Sequence, residues 1–363
     1  MGGPGKPTAR VRVRPVIYLT VAQRSSFRPA WWLPGPHLPT IYGRLARRLP
    51  AAPTRAERWP TPDGDAVTVH RLSGQPGHPR VLLLHGLESG IHAPYVQGLL
   101  HQARLRGWWA DLLVWRTCDP AYVVNAVPRA YHSGETTDLA MVVRRLVAES
   151  PGTPVGIVGV SLGGNVLLKW LGNEAATVPP EVTASVAVSV PFDLGRASRH
   201  LERGINTIYT RYFLRSLVAK TERKLTRFPD LVDATALRRL RTLWEFDDVV
   251  TGPIHGFAGA ADYYARCSSL PTLGGVDRPT LLLNAADDPF LPRQVLDDVR
   301  VAARGTSALT IEFPERGGHV GFVAGAIPGG ARYWMEGRVF DWLSGHLASR
   351  AAPIAREPAG TAA

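Results

Sequence analysis

Short runs of apolar residues alternate along this chain with amphipathic stretches, and this alternation is the feature that most limits how it can fold. Six apolar runs are typical of buried β-strands: RVLLLHG (80–86), WADLLVWR (109–116), VGIVGVS (155–161), TASVAVSV (183–190), PTLLLNA (279–285) and LTIEFPE (309–315). Helix-like stretches lie between or after them: YVQGLLHQARLRG (95–107), GETTDLAMVVRRLVAES (134–150), GGNVLLKWLG (163–172) and RVFDWLSGHLAS (338–349). Strands that alternate with helices form a mostly parallel central sheet with helices on both faces. We therefore predict an α/β fold of this kind.

Residues 196–269 interrupt the alternation, because they are basic, helical in character and contain no strand-like run. We interpret them as an inserted helical cap, which leaves 59–195 and 270–350 as the core. Residues 1–58 are basic and rich in proline, so we expect a largely extended N-terminal arm. Residues 351–363 are rich in Ala, Pro and Gly and are expected to form a disordered tail.

The net charge of +12 is unevenly distributed over the 363 residues. Residues 1–58 carry eleven Lys and Arg against one acidic residue, and residues 196–241 carry twelve against four. Such an excess is typical of contact with nucleic acid or an anionic surface. No zinc-finger, RRM or helix-turn-helix signature is present, so we expect no nucleic-acid partner. Two interpretations stay open: a solvated, Arg-rich surface, or peripheral contact with an anionic membrane surface through a basic rim that includes Arg211, Arg215, Lys220 and Arg223.

The chain contains two cysteines, Cys118 and Cys267, which are too few for a disulfide framework or a Cys-rich metal site. This count favours a reducing, cytoplasmic location. No apolar stretch approaches the length that a bilayer requires. We interpret the run VIYLTVA at 16–22 as neither signal peptide nor anchor, because Gln23 and Arg24 end it.

The segment GVSLG at 159–163 places a serine between a predicted strand and a predicted helix. This is the context that the G-x-S-x-G motif requires, since glycines on both sides of a sharp turn avoid the clashes that a Cβ atom would cause. The side chain of Ser161 would then project above the edge of the sheet, at a helix N-terminus that favours negative charge. We predict Ser161 as a nucleophile, and the alternative is a serine that serves only the tight turn.

A serine nucleophile needs a base, and the base needs a group that orients it. In sheets of this type the chain order is Ser, acid, His. The segment NAADDPF (284–290) follows the next-to-last predicted strand, and GGHVGF (317–322) follows the last. Both lie at the carboxyl ends of strands, where sites in such sheets are found. We predict His319 as the base and Asp288 as the orienting acid, with the adjacent Asp287 as the alternative.

Two backbone N–H groups are expected to stabilise the oxyanion: that of Leu162, directly after the nucleophile, and that of Leu87, in the loop after the first predicted strand. His85 begins this same loop and is not expected to act as the base. The remaining histidines that we considered are expected to be packing or surface residues: His70, His132 and His255.

Several segments together resemble the YheT-like α/β-hydrolases, which are bacterial relatives of the ABHD lipases and esterases. They extend from Phe27 to Leu343 and include FRPAWWLPGPHLPTIYGRL (27–45), LLLHGLESG (82–90), PRAYHSGETTDL (128–139), GVSLGGNVLLKWLG (159–172), LERGINTIYTRY (201–212), EFDDVVTGPIHGFAGAADYY (245–264), NAADDPFLP (284–292) and GGHVGF (317–322). The resemblance implies an α/β-hydrolase fold and a serine esterase or lipase. The serine, aspartate and histidine of the family fall on Ser161, Asp288 and His319.

The chain departs from the family pattern at two places. Pro39 stands where the family usually has Gln, and Trp115-Arg116-Thr117-Cys118-Asp119-Pro120 stands where it usually has a Gly-containing WRGCSG. We expect both departures to affect local loops rather than the three predicted catalytic residues.

The resemblance and the predicted triad together imply a hydrolase that cleaves a small-molecule or lipid carboxylic ester, with acylglycerols among the candidates. The reaction would pass through an acyl-enzyme and would need no metal or organic cofactor. Two alternatives remain: acyl transfer to an alcohol on the same triad, and a hydrolase fold that serves only as a binding protein, since a fold does not determine its function.

Overall fold

In the computed structural model, which describes residues 21–23, 25–122 and 124–347, nine strands form one central sheet. In chain order they are β1 (Val21–Ala22), β2 (Arg55–Pro60), β3 (Ala66–Leu72), β4 (Arg80–Leu84), β5 (Trp109–Val114), β6 (Val155–Val160), β7 (Val182–Val188), β8 (Thr280–Leu283) and β9 (Leu309–Glu312). Their spatial order is β1-β9-β8-β7-β6-β4-β5-β3-β2. Neighbouring strands are parallel except that β3 is antiparallel to both β2 and β5. The predicted mostly parallel sheet is confirmed.

The six predicted strands correspond to β4 through β9, and β4, β6 and β8 are buried along their whole length. Complete burial explains why these runs are uniformly apolar. The antiparallel strands β2 and β3 escaped the sequence analysis. Strand β2 exposes four of its six residues at the edge of the sheet, so its sequence RAERWP lacks an apolar run.

Helices cover both faces of the sheet. Helices α2 (Pro94–Leu105) and α12 (Trp334–Leu347) bury Leu99 and Phe340 in the apolar cluster of one face. Helices α3 (Thr136–Glu149), α4 (Leu162–Asn173) and α11 (Arg293–Ala303) contribute to the cluster of the other, with Trp170 at its centre among the largest fully buried side chains. Burial of apolar surface on both faces contributes about 25 cal/mol per Å² to folding.

The prediction of a largely extended arm at 1–58 is wrong for part of that segment. Helix α1 (His37–Ala46) lies within it and is not extended, whereas strand β1 lies within it and strand β2 begins in it at Arg55. The prolines did not exclude a helix, because Pro36 caps α1 and Pro39 lies in its first turn, where backbone N–H groups have no intrahelical acceptor. A two-stranded sheet of β10 (Val323–Ala324) and β11 (Arg332–Tyr333) follows the last strand of the main sheet. The predicted disordered tail at 351–363 and residues 16–20 of the VIYLTVA run lie outside the described residues.

Between β7 and β8 the chain forms six helices: α5 (Leu194–Leu201), α6 (Thr207–Leu225), α7 (Ala234–Arg239), α8 (Leu243–Phe246), α9 (Gly252–His255) and α10 (Ala260–Cys267), with a π-helical turn at Asp247–Thr251. They occupy the segment for which the sequence predicts a cap at 196–269, and those boundaries stay a prediction. An apolar cluster within these helices includes Leu214, Leu237 and Phe246. Phe290, from the loop after β8, packs against this cluster and joins it to the core. Within the described part of the chain, no helix combines the length and the apolar character needed to cross a membrane.

The loop after β5 contains the larger departure from the family pattern. Arg116 is fully buried there, and its guanidinium donates two hydrogen bonds of 2.7 Å to Asp138 and one of 2.8 Å to Asp63. The next residue, Thr117, has a φ of 69°, in the left-handed region that favours glycine. The resemblance places a glycine at this position, so threonine here introduces local backbone strain.

The cap contains a buried carboxylate, Asp247, which accepts hydrogen bonds of 2.6 Å from the hydroxyls of Thr251 and Tyr264. Burial raises the pKa of Asp247 to about 6, although both hydrogen bonds act in the opposite direction. The carboxylate has its ordinary, lower pKa in the unfolded chain. Its contribution to stability is therefore complete at low pH and is lost as the pH rises through about 6.

We predict that Asp247→Asn, which imitates the neutral carboxyl group, stabilises the protein relative to wild type more strongly at pH 8 than at pH 4.5. The whole shift from 3.8 to about 6 corresponds to roughly 3 kcal/mol, of which about 2 kcal/mol falls between pH 4.5 and pH 8, because the ordinary pKa lies below 4.5. Urea unfolding of both proteins at each pH measures it. Asp230→Asn, at an exposed position of the cap, is the control and should change stability little at either pH. Parallel stability curves for wild type and Asp247→Asn would contradict the prediction.

Candidate active site

Ser161 lies on the sharp turn between β6 and α4, with φ 54° and ψ −119°. A Cβ atom on Gly159 would lie 2.5 Å from the carbonyl oxygen of Gly163, and one on Gly163 would lie 2.5 Å from that of Leu84. Both positions therefore require glycine. The backbone N–H of Ser161 donates a 2.8 Å hydrogen bond to Val188, which continues the β6–β7 pairing into the turn.

The structure brings the three predicted triad residues together. The Nε2 atom of His319 lies 3.1 Å from Ser161 Oγ, and its Nδ1 atom lies 2.9 and 3.1 Å from the two carboxylate oxygens of Asp288. These residues follow β6, β8 and β9, whose carboxyl ends meet at one edge of the sheet. The side chains of Asp288 and His319 are 3% and 10% exposed, so water only partly screens their interaction.

Groups from two other segments hold His319 in place. Its backbone N–H donates a 2.8 Å hydrogen bond to the hydroxyl of Thr40 in α1. The ring of Phe290 stacks on the imidazole, with centroids 4.0 Å apart. The N–H of Phe290 also donates to Asp288 at 2.8 Å, so one short segment fixes both the carboxylate and the ring.

The adjacent aspartate has a different contact. Asp287 accepts a 2.9 Å hydrogen bond from the N–H of Gly318, in the loop that contains His319. Burial, together with the nearby Asp288 carboxylate, raises the pKa of Asp287. Asp288, and not Asp287, contacts the imidazole ring of His319.

The loop after β4 contains Leu87, and helix α4 begins at Leu162. The N–H of Leu162 is the first of its helix, so the helix offers it no acceptor. On either side of Leu87, the hydroxyls of Tyr95 and Tyr131 accept hydrogen bonds from the N–H groups of Gly86 and Glu88, at 2.9 and 3.0 Å. These bonds fix the loop on both sides of the Leu87 N–H.

Two cavities share a lining that consists of Leu87, Ser161, Phe213, Phe290 and His319. The first has a volume of about 150 Å³ and lies beneath the cap; its lining includes Leu201, Leu217, Phe246 and Val250. The second has a volume of about 320 Å³ and is bounded by α1 and α6, through Thr40, Ile41, Ile208, Tyr209 and Tyr212. Both linings are mainly apolar, as expected for sites that bind apolar ligands.

Several polar residues of the first cavity were not predicted from the sequence. His132 and His255, which we expected at packing or surface positions away from the site, lie with ring centroids 4.5 Å apart and line the same cavity as Ser161. Burial lowers the pKa of His132 to about 4, and burial together with His132 lowers that of His255. Asp247 lines this cavity as well. No short motif connects these positions in sequence, since only the folding of the cap brings them together.

His85 does not contact the imidazole of His319 or Ser161. It is fully buried, its Nδ1 atom is paired with the carbonyl oxygen of Gly86, and its Nε2 atom accepts a hydrogen bond from the N–H of Trp115. Burial lowers its pKa to about 4. A neutral, hydrogen-bonded imidazole here supports the loop after β4.

Comparisons with known proteins agree with this architecture. A family model described as alpha/beta hydrolase fold matches residues 79–324. The protein YheT of Escherichia coli (strain K12), named as a presumed esterase, is 38% identical over 319 residues, which cover 86% of this chain and 92% of YheT. Phospholipase ABHD3 of Mus musculus is 30% identical over 69% of this chain and 60% of that protein. Monoacylglycerol lipase of Saccharomyces cerevisiae is 26% identical over 69% of this chain and 56% of that protein.

A solved structure of the esterase Pf2001 of Pyrococcus furiosus has the same fold, with a TM-score of 0.53 and 14% identity over 84% of this chain and 96% of that chain. The resemblance to the YheT-like proteins and the predicted fold class are thereby confirmed. The chain belongs to the YheT-like α/β-hydrolases, a hydrolase family whose named relatives include an esterase, a phospholipase and a monoacylglycerol lipase.

Proposed function

We propose that this protein hydrolyses carboxylic esters through a Ser161–His319–Asp288 triad and a covalent acyl-enzyme. The observation that carries the proposal is the continuous hydrogen-bonded series from Asp288 through His319 to Ser161 Oγ. A proton on Nδ1 of His319, held by Asp288, leaves Nε2 free to accept the proton of the serine hydroxyl.

In the acylation step, Ser161 Oγ attacks the ester carbonyl carbon and its proton passes to His319 Nε2. The carbonyl oxygen becomes an oxyanion, which the N–H groups of Leu87 and Leu162 stabilise. His319 then donates its proton to the departing alcohol, and the acyl group remains bound to Ser161. Water deprotonated by His319 attacks the acyl-enzyme, the bond between the acyl carbon and Ser161 Oγ breaks, and His319 returns the proton to Ser161 Oγ as the carboxylic acid leaves.

The apolar cavities on which Ser161 opens support a substrate with apolar groups on the ester. Relatives named as a phospholipase and a monoacylglycerol lipase make lipid esters, acylglycerols among them, the class to test first.

We predict that Ser161→Ala folds normally and loses roughly 10³-fold or more of its turnover on p-nitrophenyl esters of increasing acyl length. Ser344→Ala, at a serine of α12 that only bonds Phe340, is the matched control. A fluorophosphonate probe should label wild type and the control but not Ser161→Ala. Hydrolysis at the wild-type rate by Ser161→Ala would refute the mechanism. Formation of new esters in the presence of added alcohols would instead identify acyl transfer.

Asp287 and Asp288 are adjacent in sequence, so the same substitution at each position tests which of them orients His319. We predict that Asp288→Asn lowers turnover on the order of 10⁴-fold, because the amide favours the wrong tautomer of His319. Asp287→Asn should cost far less, since an amide oxygen can still accept from Gly318. Steady-state kinetics on one soluble ester measures both. The reverse ranking would assign the acid to Asp287.

We further propose that the entrance to the second cavity contacts an anionic lipid surface. Leu38, Ile41 and Leu45 are exposed along one face of α1, and Ile208 and Tyr212 are exposed at the start of α6, with Ile205 exposed in the turn just before it. The two helices are in contact, since Arg44 donates to the hydroxyl of Tyr212. Ile41, Ile208 and Tyr212 also line the cavity that reaches Ser161. An exposed apolar rim around such an entrance is typical of a binding surface.

The charge beside this rim favours anionic lipid as the partner. Arg211, Arg215 and Arg223 are exposed at four- and eight-residue spacing along α6, so they lie on one face of the helix. Lys220, which the sequence groups with them, is paired with Glu88 and is not part of this surface. Each basic residue near an anionic membrane contributes about 1 kcal/mol to binding. At 1 M salt the screening length is about 3 Å, so the attraction is largely lost.

We predict that the protein binds phosphatidylglycerol-containing vesicles at low salt, and that the triple variant Arg211→Gln, Arg215→Gln, Arg223→Gln binds them more weakly. The control is Arg144→Gln, Arg145→Gln, Arg300→Gln, which removes the same charge from α3 and α11. Co-sedimentation at low and high salt measures binding. Equal retention on neutral and anionic vesicles at low salt would refute lipid contact through these arginines, and hydrolysis of a short soluble ester should be unchanged.

A further inference from the structure

A buried carboxylate lies directly beside the proposed oxyanion donor. Glu88 follows Leu87 in the loop after β4, and its side chain is only 2% exposed. Its carboxylate accepts a 2.8 Å hydrogen bond from the hydroxyl of Tyr131, a hydrogen bond from the hydroxyl of Ser216, and contacts of 2.8 and 2.9 Å from Lys220 Nζ. Four contacts on one buried acid exceed what packing of a surface loop requires.

Two of the three donors come from a different layer of the molecule. Ser216 and Lys220 lie on α6 of the cap, four residues apart and therefore on one face of that helix. Tyr131 belongs to the core segment that precedes α3, and its hydroxyl also accepts the hydrogen bond from the backbone N–H of Glu88. Glu88 is thus the residue at which the cap, the core and the loop after β4 meet.

The backbone at Glu88 requires this support. Its φ is 51°, in the left-handed region that residues other than glycine rarely adopt. Such a conformation persists only where surrounding contacts hold it. The φ of Glu88 orients the peptide group that joins Leu87 to Glu88, which is one peptide group after the one that contains the Leu87 N–H. Contacts that hold Glu88 therefore fix the chain on that side of the proposed donor.

We propose that the ion pair between Glu88 and Lys220 positions the N–H of Leu87 for oxyanion stabilisation, so that contact of the cap with the core completes the catalytic site. This inference rests on the proposed ester hydrolysis. Glu88 and Lys220 act as positioning residues, since the reacting ester contacts the Leu87 N–H. Removal of one oxyanion donor in a hydrolase lowers kcat by about 10²–10³-fold, and misdirection of a donor should cost part of that.

The local electrostatics agree with a charged pair. Burial disfavours the ammonium form of Lys220, but contacts that include the ion pair with Glu88 outweigh burial and raise the lysine pKa. Cys118 lies 3.6 Å from Lys220 Nζ, and burial raises the pKa of its thiol to about 12. Cys118 therefore remains a neutral thiol at pH 7, and the ion pair of Lys220 is the one with Glu88.

The test compares Lys220→Met, Glu88→Gln and the double variant with wild type. Readouts are kcat and KM on p-nitrophenyl butyrate, the inhibition constant of an alkyl boronic acid, and the fraction of chains that a fluorophosphonate labels. A boronic acid bonded to serine forms a tetrahedral adduct that uses the oxyanion donors. Rates are expressed per labelled chain, so that an unfolded fraction does not contribute.

We expect each single variant to lower kcat per labelled chain by about 10–100-fold with little change in KM, and to weaken boronic acid binding by a similar factor. The double variant should be no worse than the poorer single variant, because both substitutions break one interaction. Lys220→Arg, which retains the charge, should recover part of the rate. Arg227→Gln, which removes a cation just beyond α6 without contacting Glu88, should leave kcat unchanged.

If Lys220→Met fails to fold, Ser216→Ala provides the second variant, because it removes one donor to Glu88 while the ion pair remains. A smaller decrease in kcat, again with unchanged KM, is expected. Variants that lower only the melting temperature or the labelled fraction, with wild-type kcat per labelled chain and wild-type boronic acid affinity, would overturn the positioning role. A wild-type protein that takes no label and cleaves no ester would overturn the proposed function itself.

Discussion

The turn at Ser161 depends on backbone atoms that approach one another more closely than any side chain would allow. The missing Cβ atoms of Gly159 and Gly163 let α4 begin against the ends of β4 and β6. This close approach brings the N–H of Leu162 and the loop that contains Leu87 to the same side of the serine. A bulkier residue at either glycine would move the helix and the loop apart. One steric constraint therefore determines the positions of both the nucleophile and its proposed oxyanion donors.

Much of this arrangement follows from sequence because it is a consequence of parallel topology. Parallel strands place their carboxyl ends at one edge, so motifs after three strands meet without any knowledge of the loops between them. Ser161, Asp288 and His319 were predicted on this basis, and the side chains of Ser161 and Asp288 each lie within hydrogen-bond distance of His319. The buried strands could also be predicted from the sequence, because strands that are buried on both faces consist of uniformly apolar residues.

The parts that escaped prediction depend on contacts between segments distant in sequence. Lys220 is one of twelve basic residues in 196–241, and nothing in its immediate neighbours distinguishes it from the solvated arginines around it. Its partner Glu88 lies more than 100 residues earlier. Helix α1 was missed for another reason: proline is a poor guide in the first turn of a helix, where it removes no hydrogen bond.

The hydrogen bond between Thr40 and the backbone N–H of His319 shows that the segment shared with the family is shorter than the segment that holds the predicted catalytic residues in place. The span that the family model matches, residues 79–324, contains Ser161, Asp288 and His319, yet the hydroxyl that holds the histidine backbone comes from before it. The carbonyl of Pro39 also lies so close to Gly321 that a Cβ atom there would be 2.6 Å from it. A fragment cut at the borders of the shared span would keep every residue of the triad and lose part of the frame around its base. A chimera that exchanges the core between two relatives should therefore include the helix at 37–46.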